Sequence, residues 1–291
     1  MVRPFFSVVT PSFNQGAYVR ACLESVAGQA GEDYEHLVFD NCSTDGSAAV
    51  AAEFPRVRWV CESDRGQSHA VNKGFAAARG EILCWINTDD AYPPGTFRLL
   101  RKVFADPGVH VVFGDVEQVG YEGSASGRVT AVFEDRLDLV RWWSRKARLH
   151  QPAVFFRRAA RETTGWLRED LHFAMDYEYW WRMSGQHRFV RVPEILAIQH
   201  RQPESKTVRN WQAVLAERER IFAPHYHLVD NGDPKALNRE MRRALARSFV
   251  QMGYTARGAA VVVLLLRALL THPPTVLHPD AWGLAGRVFR F

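Results

Sequence analysis

Cysteine is scarce in this chain: Cys22, Cys42, Cys61 and Cys84 stand singly, with no C-x-x-C spacing. That argues against zinc ribbons and disulfide-stapled scaffolds, and three of the four lie in or beside apolar runs, as reduced thiols do. A glycine fingerprint is also missing. The first strand-like run is followed by Pro11-Ser12-Phe13-Asn14-Gln15-Gly16, which disfavours a dinucleotide-binding Rossmann dehydrogenase, and no G-x-x-x-x-G-K-[ST] loop occurs anywhere. Long apolar runs are absent too. Ala259 to Leu270 is interrupted by Arg267 and falls short of the roughly 18 to 20 residues a membrane span requires. Met1-Val2-Arg3-Pro4 leads straight into Phe5 to Thr10, with Pro11 and Asn14 following too soon for a signal peptide, so the cytoplasm is the expected compartment.

What is present describes an ordinary globular chain: 291 residues, 47% hydrophobic and 24% charged, enough for one large core or one core plus an appendage. Its net charge of +5 is unevenly spread, because from Val208 onward 12 Lys/Arg face 6 Asp/Glu, so the tail carries +6 and the rest −1. Within the tail, Lys235 to Met252 places Leu237, Met241, Ala244, Leu245, Phe249 and Met252 on one helical face and Lys235, Arg239, Arg242, Arg243 and Arg247 largely on the other. Such a helix lies on an anionic membrane surface or docks on the main domain with its Arg face solvated. No aromatic-interleaved basic surface accompanies it, so nucleic acid is not an expected partner.

Residues 1 to about 115 alternate short β-branched or aromatic runs with amphipathic segments. Strands are expected at Phe5 to Thr10, Glu35 to Asp40, Val57 to Cys61, Glu81 to Ile86 and Val109 to Gly114, and helices at Ala17 to Ala27, Ser47 to Glu53, Ser68 to Ala78 and Thr96 to Phe104. That order implies parallel pairing and a doubly wound α/β sheet, in which ligands bind at the carboxyl ends of the strands.

Three polar clusters fall at those ends: Thr10-Pro11-Ser12, Asp40 to Gly46, and Asn87-Thr88-Asp89-Asp90. Paired carboxylates at a strand end are hard ligands suited to Mg2+ or Mn2+, whereas Asp90 ahead of Tyr92-Pro93-Pro94 and the next helix also reads as a cap. Asp40 can accept hydrogen bonds from a base N–H or from ribose hydroxyls, while Asp45-Gly46 reads as a turn. Asp64-Arg65-Gly66-Gln67-Ser68 opens a helix, so Arg65 and the helix N-terminus can meet a diphosphate. Asn41-Cys42-Ser43 has the form of a glycosylation sequon, discounted in a thiol-reduced chain without a signal peptide.

Taken in order, Ser7-Val8-Val9-Thr10-Pro11-Ser12-Phe13-Asn14, His36 to Gly46, Asp64 to Ser68, Asn72-Lys73-Gly74 and Asn87 to Asp90 resemble the family 2 inverting glycosyltransferases of the GT-A fold, over residues 5 to about 207. The resemblance implies an α/β fold of GT-A type, a doubly wound, mostly parallel sheet flanked by helices. Its nucleotide-sugar half spans about 1–115 and its acceptor half about 116–207, with a basic helical appendage at 208–291. It implies a nucleoside-diphosphate sugar as donor, met by Thr10, Pro11, Asp40, Asp64, Arg65, Gln67, Asn87 and Asp89. Mn2+ or Mg2+ is implied at Asp89, with Asp90 assisting.

Ala174-Met175-Asp176-Tyr177-Glu178 is similar to the acidic segment that opens the family's acceptor-side helix, and Asp176 matches the catalytic base. An inverting transfer needs one carboxylate to take the acceptor proton as the hydroxyl attacks the anomeric carbon. Glu178 is the weaker candidate for that role. His150 and Gln151 resemble an acceptor-lining segment, and the acceptor is expected to be a glycan or lipid-linked hydroxyl at the inner membrane face. Two positions depart from the family pattern: Asn87 stands first in what is usually Asp-x-Asp, and Gln202 stands where relatives carry a histidine before Ser205-Lys206-Thr207. His200 is the substitute candidate for metal or phosphate, with Arg201 and Lys206 as further diphosphate partners. Arg141-Trp142 lacks the preceding Gln of processive synthases, which favours single transfers. The alternative is a non-catalytic subunit that keeps the fold and binds nucleotide-sugar.

Overall fold

The structure is a computed structural model that describes residues 3–29, 31–120, 126–144, 146–200 and 210–255, together with Arg267, Leu270 and Thr271. Arg201, Gln202 and the Ser205-Lys206-Thr207 segment lie outside the described residues, as does most of the apolar run Ala259 to Leu270. The chain divides into two compact units, one of residues 1–136 and 147–221, the other of 137–146 and 222–291.

The first unit is built on one sheet. In chain order its strands are β1 (Phe6–Ser12), β2 (Tyr34–Asp40), β3 (Val57–Cys61), β4 (Ile82–Trp85), β5 (Asp90–Ala91), β6 (Val111–Val119), β7 (Gly127–Val129), β8 (Val154–Arg157) and β9 (Phe189–His200). They lie in the order β3-β2-β1-β4-β8-β6-β9-β5, with β7 beside β6. The first four are parallel, as the strand and helix alternation predicts. Beyond β4 the sheet is mixed, yet its long ladder, β6 with β9, is parallel, and the antiparallel pairings are only two or three residues long. The expected α/β architecture is the one observed.

Five helices flank these strands: α1 (Val19–Ala27), α2 (Ser47–Ala51), α3 (Gln67–Ala77), α4 (Thr96–Val103) and, after β8, α6 (Arg158–Thr164). One core cluster joins Phe6, Val8, Cys22, Ile82, Cys84, Phe97, Val112 and Phe155. A second set of rings, Phe75, Trp85, Phe156, Tyr179 and Trp180, packs edge-on, with Trp85 and Trp180 stacked at 5.2 Å. Tyr179 and Trp180 belong to α7 (Met175–Ser184), so the helix that carries Asp176 is anchored in the core by its next turn.

Helix α3 approaches β1 closely at Gly74. A Cβ there would lie 2.2 Å from Val9 Cγ1, which only the absence of a side chain permits. Gly74→Ala is expected to destabilise the fold by about 1–3 kcal/mol through overpacking, read as a lowered urea midpoint at unchanged slope.

The tail contributes to both units. Helix α8 (Trp211–Phe222) lies past residue 207, yet up to Ile221 it groups with the first unit. In the second unit, α5 (Leu137–Val140) and the residues after it meet α9 (Pro234–Thr255) and the turn before it. Trp143 Nε1 donates to Glu240 at 3.2 Å, Trp142 Nε1 to the Tyr226 hydroxyl at 3.3 Å, and the Trp143 and Tyr226 rings meet edge-on. Leu237 is buried, whereas Lys235, Arg239, Arg242 and Arg243 are exposed, the division the helical periodicity predicts. Among the described residues no helix is long and apolar enough to cross a membrane.

Candidate active site

The carboxyl ends of β1, β2 and β4 carry the three polar clusters. Two loops there are stitched together by side chains: the Asn14 amide donates to Ser43 Oγ at 2.7 Å, the Thr44 amide to Asn14 Oδ1 at 3.1 Å, and the Gly16 amide to Asp45 at 2.6 Å. Asn14 and Cys42 both adopt positive φ, so the loops hold tight left-handed turns. Asp40 is 1% exposed and accepts from the Ser43 amide at 2.7 Å and the Ser43 hydroxyl, one on each carboxylate oxygen. Thr10 is fully buried, with Oγ1 2.9 Å from His36 Nε2, and burial pushes the His36 imidazole down to about 3. The Thr10 hydroxyl is therefore committed to a neutral ring inside the fold, and of this pair only Pro11 is partly exposed.

Helix α3 begins at Gly66, whose φ of 120° admits no ordinary side chain, and no side chain caps it. The Gly66 amide donates to Asp64 Oδ1 at 2.7 Å, the Asp64 amide donates to Asn41 Oδ1 at 2.9 Å, and the Arg65 guanidinium pairs with Glu169. Gln67 Nε2 donates to Asn87 Oδ1 at 2.7 Å. The position where the family usually carries a carboxylate thus holds an amide that is fixed to the start of α3.

Asp89 is half-buried and Asp90 is 3% exposed. Asp90 does not cap the next helix: α4 starts at Gly95 in a left-handed conformation with no side-chain cap, and Asp90 lies in β5, opposite Gln199 of β9. That pairing brings in His200 from 111 residues away, its Nδ1 donating to the Asp89 carbonyl at 2.7 Å. Burial raises both carboxyl pKa values, Asp90 well above the carboxylate range, where the neighbouring Asp89 charge pushes it further. The backbone N–H of His200 works against that rise at Asp90.

This donor set suits a hard divalent cation. Two desolvated carboxylates side by side favour a positive charge, and with Nδ1–H given to a carbonyl, His200 keeps Nε2 as the ring's available lone pair, the usual arrangement of a ligating histidine. Among the described residues no group of three or more His, Cys, Asp and Glu gathers in metal-holding geometry, so an ion there would complete its shell from phosphate and water.

The second half meets the first at α3. Asn72 makes a reciprocal pair with Leu167, Nδ2 to the carbonyl at 2.9 Å and the Leu167 amide to Oδ1 at 3.0 Å. Ser68 Oγ lies 2.8 Å from Met175 Sδ, one residue from Asp176. Asp176 is half-buried in the first turn of α7 and accepts the Tyr177 amide at 2.8 Å. Its pKa is raised by burial, an effect the Tyr177 amide and Arg218 oppose. Glu178 is 5% exposed and tied to Arg182 at 2.7 and 2.9 Å, the i,i+4 pair of a structural carboxylate. Gln151 donates to the Trp85 carbonyl at 2.6 Å. His150 is half-buried, with its Nε2 atom buried and unpartnered, and burial lowers its pKa to about 4.

Sequence reasoning did not identify Glu217 of α8, which accepts from the amides of His172 at 2.7 Å, Phe173 at 2.8 Å and Ala174 at 3.0 Å. The available signal was a missing cap, since Phe173-Ala174 offers no Ser, Thr, Asn or Asp at the start of α7.

The family model described as "Glycosyl transferase family 2" matches residues 7–164, more than half of the chain, and the chain belongs to that family. The match runs from β1 to α6 and ends before α7. The chain is 29% identical over 238 residues to an uncharacterized protein of Mycobacterium tuberculosis (strain CDC 1551 / Oshkosh), covering 76% of this chain and 73% of that one. It is 33% identical over 175 residues to the PGL/p-HBAD biosynthesis glycosyltransferase of Mycobacterium bovis (strain BCG / Pasteur 1173P2), covering 57% of this chain and 64% of that protein's length. In fold it is similar to S. aureus TarS 1-349 solved in complex with UDP-GlcNAc, with a TM-score of 0.59 at 14% identity over 98% of this chain and 93% of that one. The Pyrobaculum calidifontis mannosyltransferase PcManGT, solved with GDP-Man and Mn2+, also gives 0.59, at 18% identity over 99% and 87% of the two chains. These structures share the GT-A glycosyltransferase fold with this chain.

Proposed function

We propose that this protein is an inverting, non-processive glycosyltransferase that moves a sugar from a nucleoside-diphosphate donor to a hydroxyl of a glycan or lipid-linked acceptor, with Asp176 as the base. One observation carries the reading: the strand-end cluster and the acidic helix are linked through the start of α3, Asn87 to Gln67 at 2.7 Å and then Ser68 to Met175 at 2.8 Å. Two short contacts thereby tie the start of the helix that carries Asp176 to the strand-end cluster, although 86 residues of sequence separate Asp176 from Asp90.

The chemistry follows from these residues. Asp40 and the Thr10-Pro11 segment would receive the nucleoside, and Arg65 with the N-terminus of α3 would face the diphosphate. Asp89, with Asp90 and His200 behind it, would hold Mn2+ or Mg2+, whose contribution there is to offset the charge of the departing nucleoside diphosphate. Asp176 takes the proton of the acceptor hydroxyl as that oxygen bonds to the anomeric carbon. The bond from that carbon to the phosphate oxygen breaks with its electron pair leaving on the diphosphate. His150 and Gln151 would line the acceptor side.

The test is nucleotide release from a panel of UDP-, GDP- and dTDP-sugars, including UDP-GlcNAc and GDP-Man, each with Mn2+ or with chelator. Slow metal-dependent release from one donor is expected. A panel with neither release nor metal-dependent thermal stabilisation would favour a non-catalytic subunit of the same fold.

A further inference from the structure

Helix α7 begins without a cap of its own. Its N-cap is Ala174, so the amides before the first turn would be left without acceptors, and the structure supplies one from a distant helix. Three consecutive amides, from His172 to Ala174, converge on the carboxylate of Glu217 at 2.7–3.0 Å. Hydrogen bonds to a charged acceptor are the strong ones, and three on one carboxylate fix the peptide planes that lead into the turn carrying Asp176. The next residue acts on the same turn. The Arg218 guanidinium lies 4.4 Å over the Tyr177 ring, and its positive charge opposes the effect of burial on Asp176. Arg218 Nε is buried without a hydrogen-bond partner.

On the reading of Asp176 as the base, we propose that α8 is the positioning element of that base: Glu217 anchors the loop at 172–174, and Arg218 supplies the countercharge to the Asp176 carboxylate. Both are positioning residues, acting through Asp176. They come from sequence beyond the matched family segment, which ends at residue 164. The charged groups acting on Asp176 from α8 are Arg218 and Glu217, of opposite sign. From α7 itself come the Tyr177 amide and ring, and the Tyr177 phenol is donated away to the Ala147 carbonyl at 3.1 Å.

The opposite signs give the test a form that mere structural support would not produce. In the full-length protein without ligand, the Asp176 carboxyl carbon is followed by 13C NMR across pH, its signal assigned by its loss in Asp176→Asn. Arg218→Met is expected to raise the titration midpoint, and Glu217→Gln to lower it. In parallel, hydrogen exchange at the 172–174 amides should speed by roughly tenfold or more in Glu217→Ala, with Glu217→Gln intermediate because it keeps one acceptor oxygen. Midpoints that stay put or move together, or amides whose exchange is unchanged, would overturn the proposal. Nucleotide release by Asp176→Asn separates the two ideas. Wild-type turnover there sinks the base assignment and leaves the tether standing, whereas an inactive Asp176→Asn beside unmoved midpoints sinks the tether alone.

Discussion

Asp176→Asn should lower sugar transfer by about 10²–10⁴-fold, the contribution of a positioned general base, while donor binding stays intact and thermal stability at neutral pH is unchanged or higher. The stability half of that expectation follows from sign. Burial raises the Asp176 pKa above the ordinary carboxylate value, so the folded protein holds the proton more tightly than the unfolded chain does. Its contribution to stability is then complete below the unfolded pKa and is lost as pH rises through the folded one, and at neutral pH the ionised, desolvated carboxylate is a net cost. Asparagine removes that cost and keeps an oxygen for the Tyr177 amide, which Asp176 accepts at 2.8 Å. Thermal melts of both proteins from pH 4 to 8 should therefore diverge toward high pH and converge at low pH. The wild-type rate should fall on the acid side at a pH above the usual aspartate value. A helix-capping aspartate predicts the reverse, a less stable variant, but the structure gives that task to Glu217. Loss of stability with full activity would remove Asp176 from the chemistry.

Local patterns disclosed most of the elements in residues 1–115 and little of what assembles the candidate site. The run Val57 to Cys61 is a strand with the bounds its β-branched and aromatic residues imply, and Thr96 onward is a helix as its apolar spacing requires. The longest strand, β9, was hidden. β9 contains Pro193, and its burial does not alternate, because its pairing with β6 shifts register around Gly114, Asp115 and Val116. β5 is two residues long, below any periodicity, and exists because β9 runs alongside it. The meeting of His200 with Asp89 and of Glu217 with the 172–174 amides are contacts across 111 and about 45 residues, which no window of sequence contains. The segment 201–207, where the departure at Gln202 falls, lies outside the described residues. Chemistry-bearing residue types could be read in advance at Asp40, Asp89, Asp90 and Asp176, whereas the partners that orient them came from topology.

Asp89→Ala is the second large effect to expect: loss of metal-dependent nucleotide release by about 10³-fold, on the scale of several kcal/mol of charge stabilisation at a leaving diphosphate. The variant should also lose the rise in melting temperature that a nucleoside diphosphate gives with Mn2+, since binding to the folded state alone is what stabilises it. Two features set Asp89 apart from its neighbour. Asp90 is nearly fully buried in a strand and takes the His200 backbone N–H, so its carboxyl serves the junction of β5 and β9, whereas Asp89 remains half-exposed with the His200 ring on its carbonyl. Removing Asp89 also removes the charge that pushes Asp90 upward, so apo stability should hold or improve as ligand response disappears. His200→Ala should give the same pattern more weakly, about 10–100-fold, if the ring acts as a supporting ligand. Equal nucleotide-induced stabilisation of wild type and Asp89→Ala, with metal and with chelator alike, would place the diphosphate on Arg65 and the α3 N-terminus alone. Asp89 would then be a structural carboxylate, and the amide at Asn87 would mark a donor site that works without a cation.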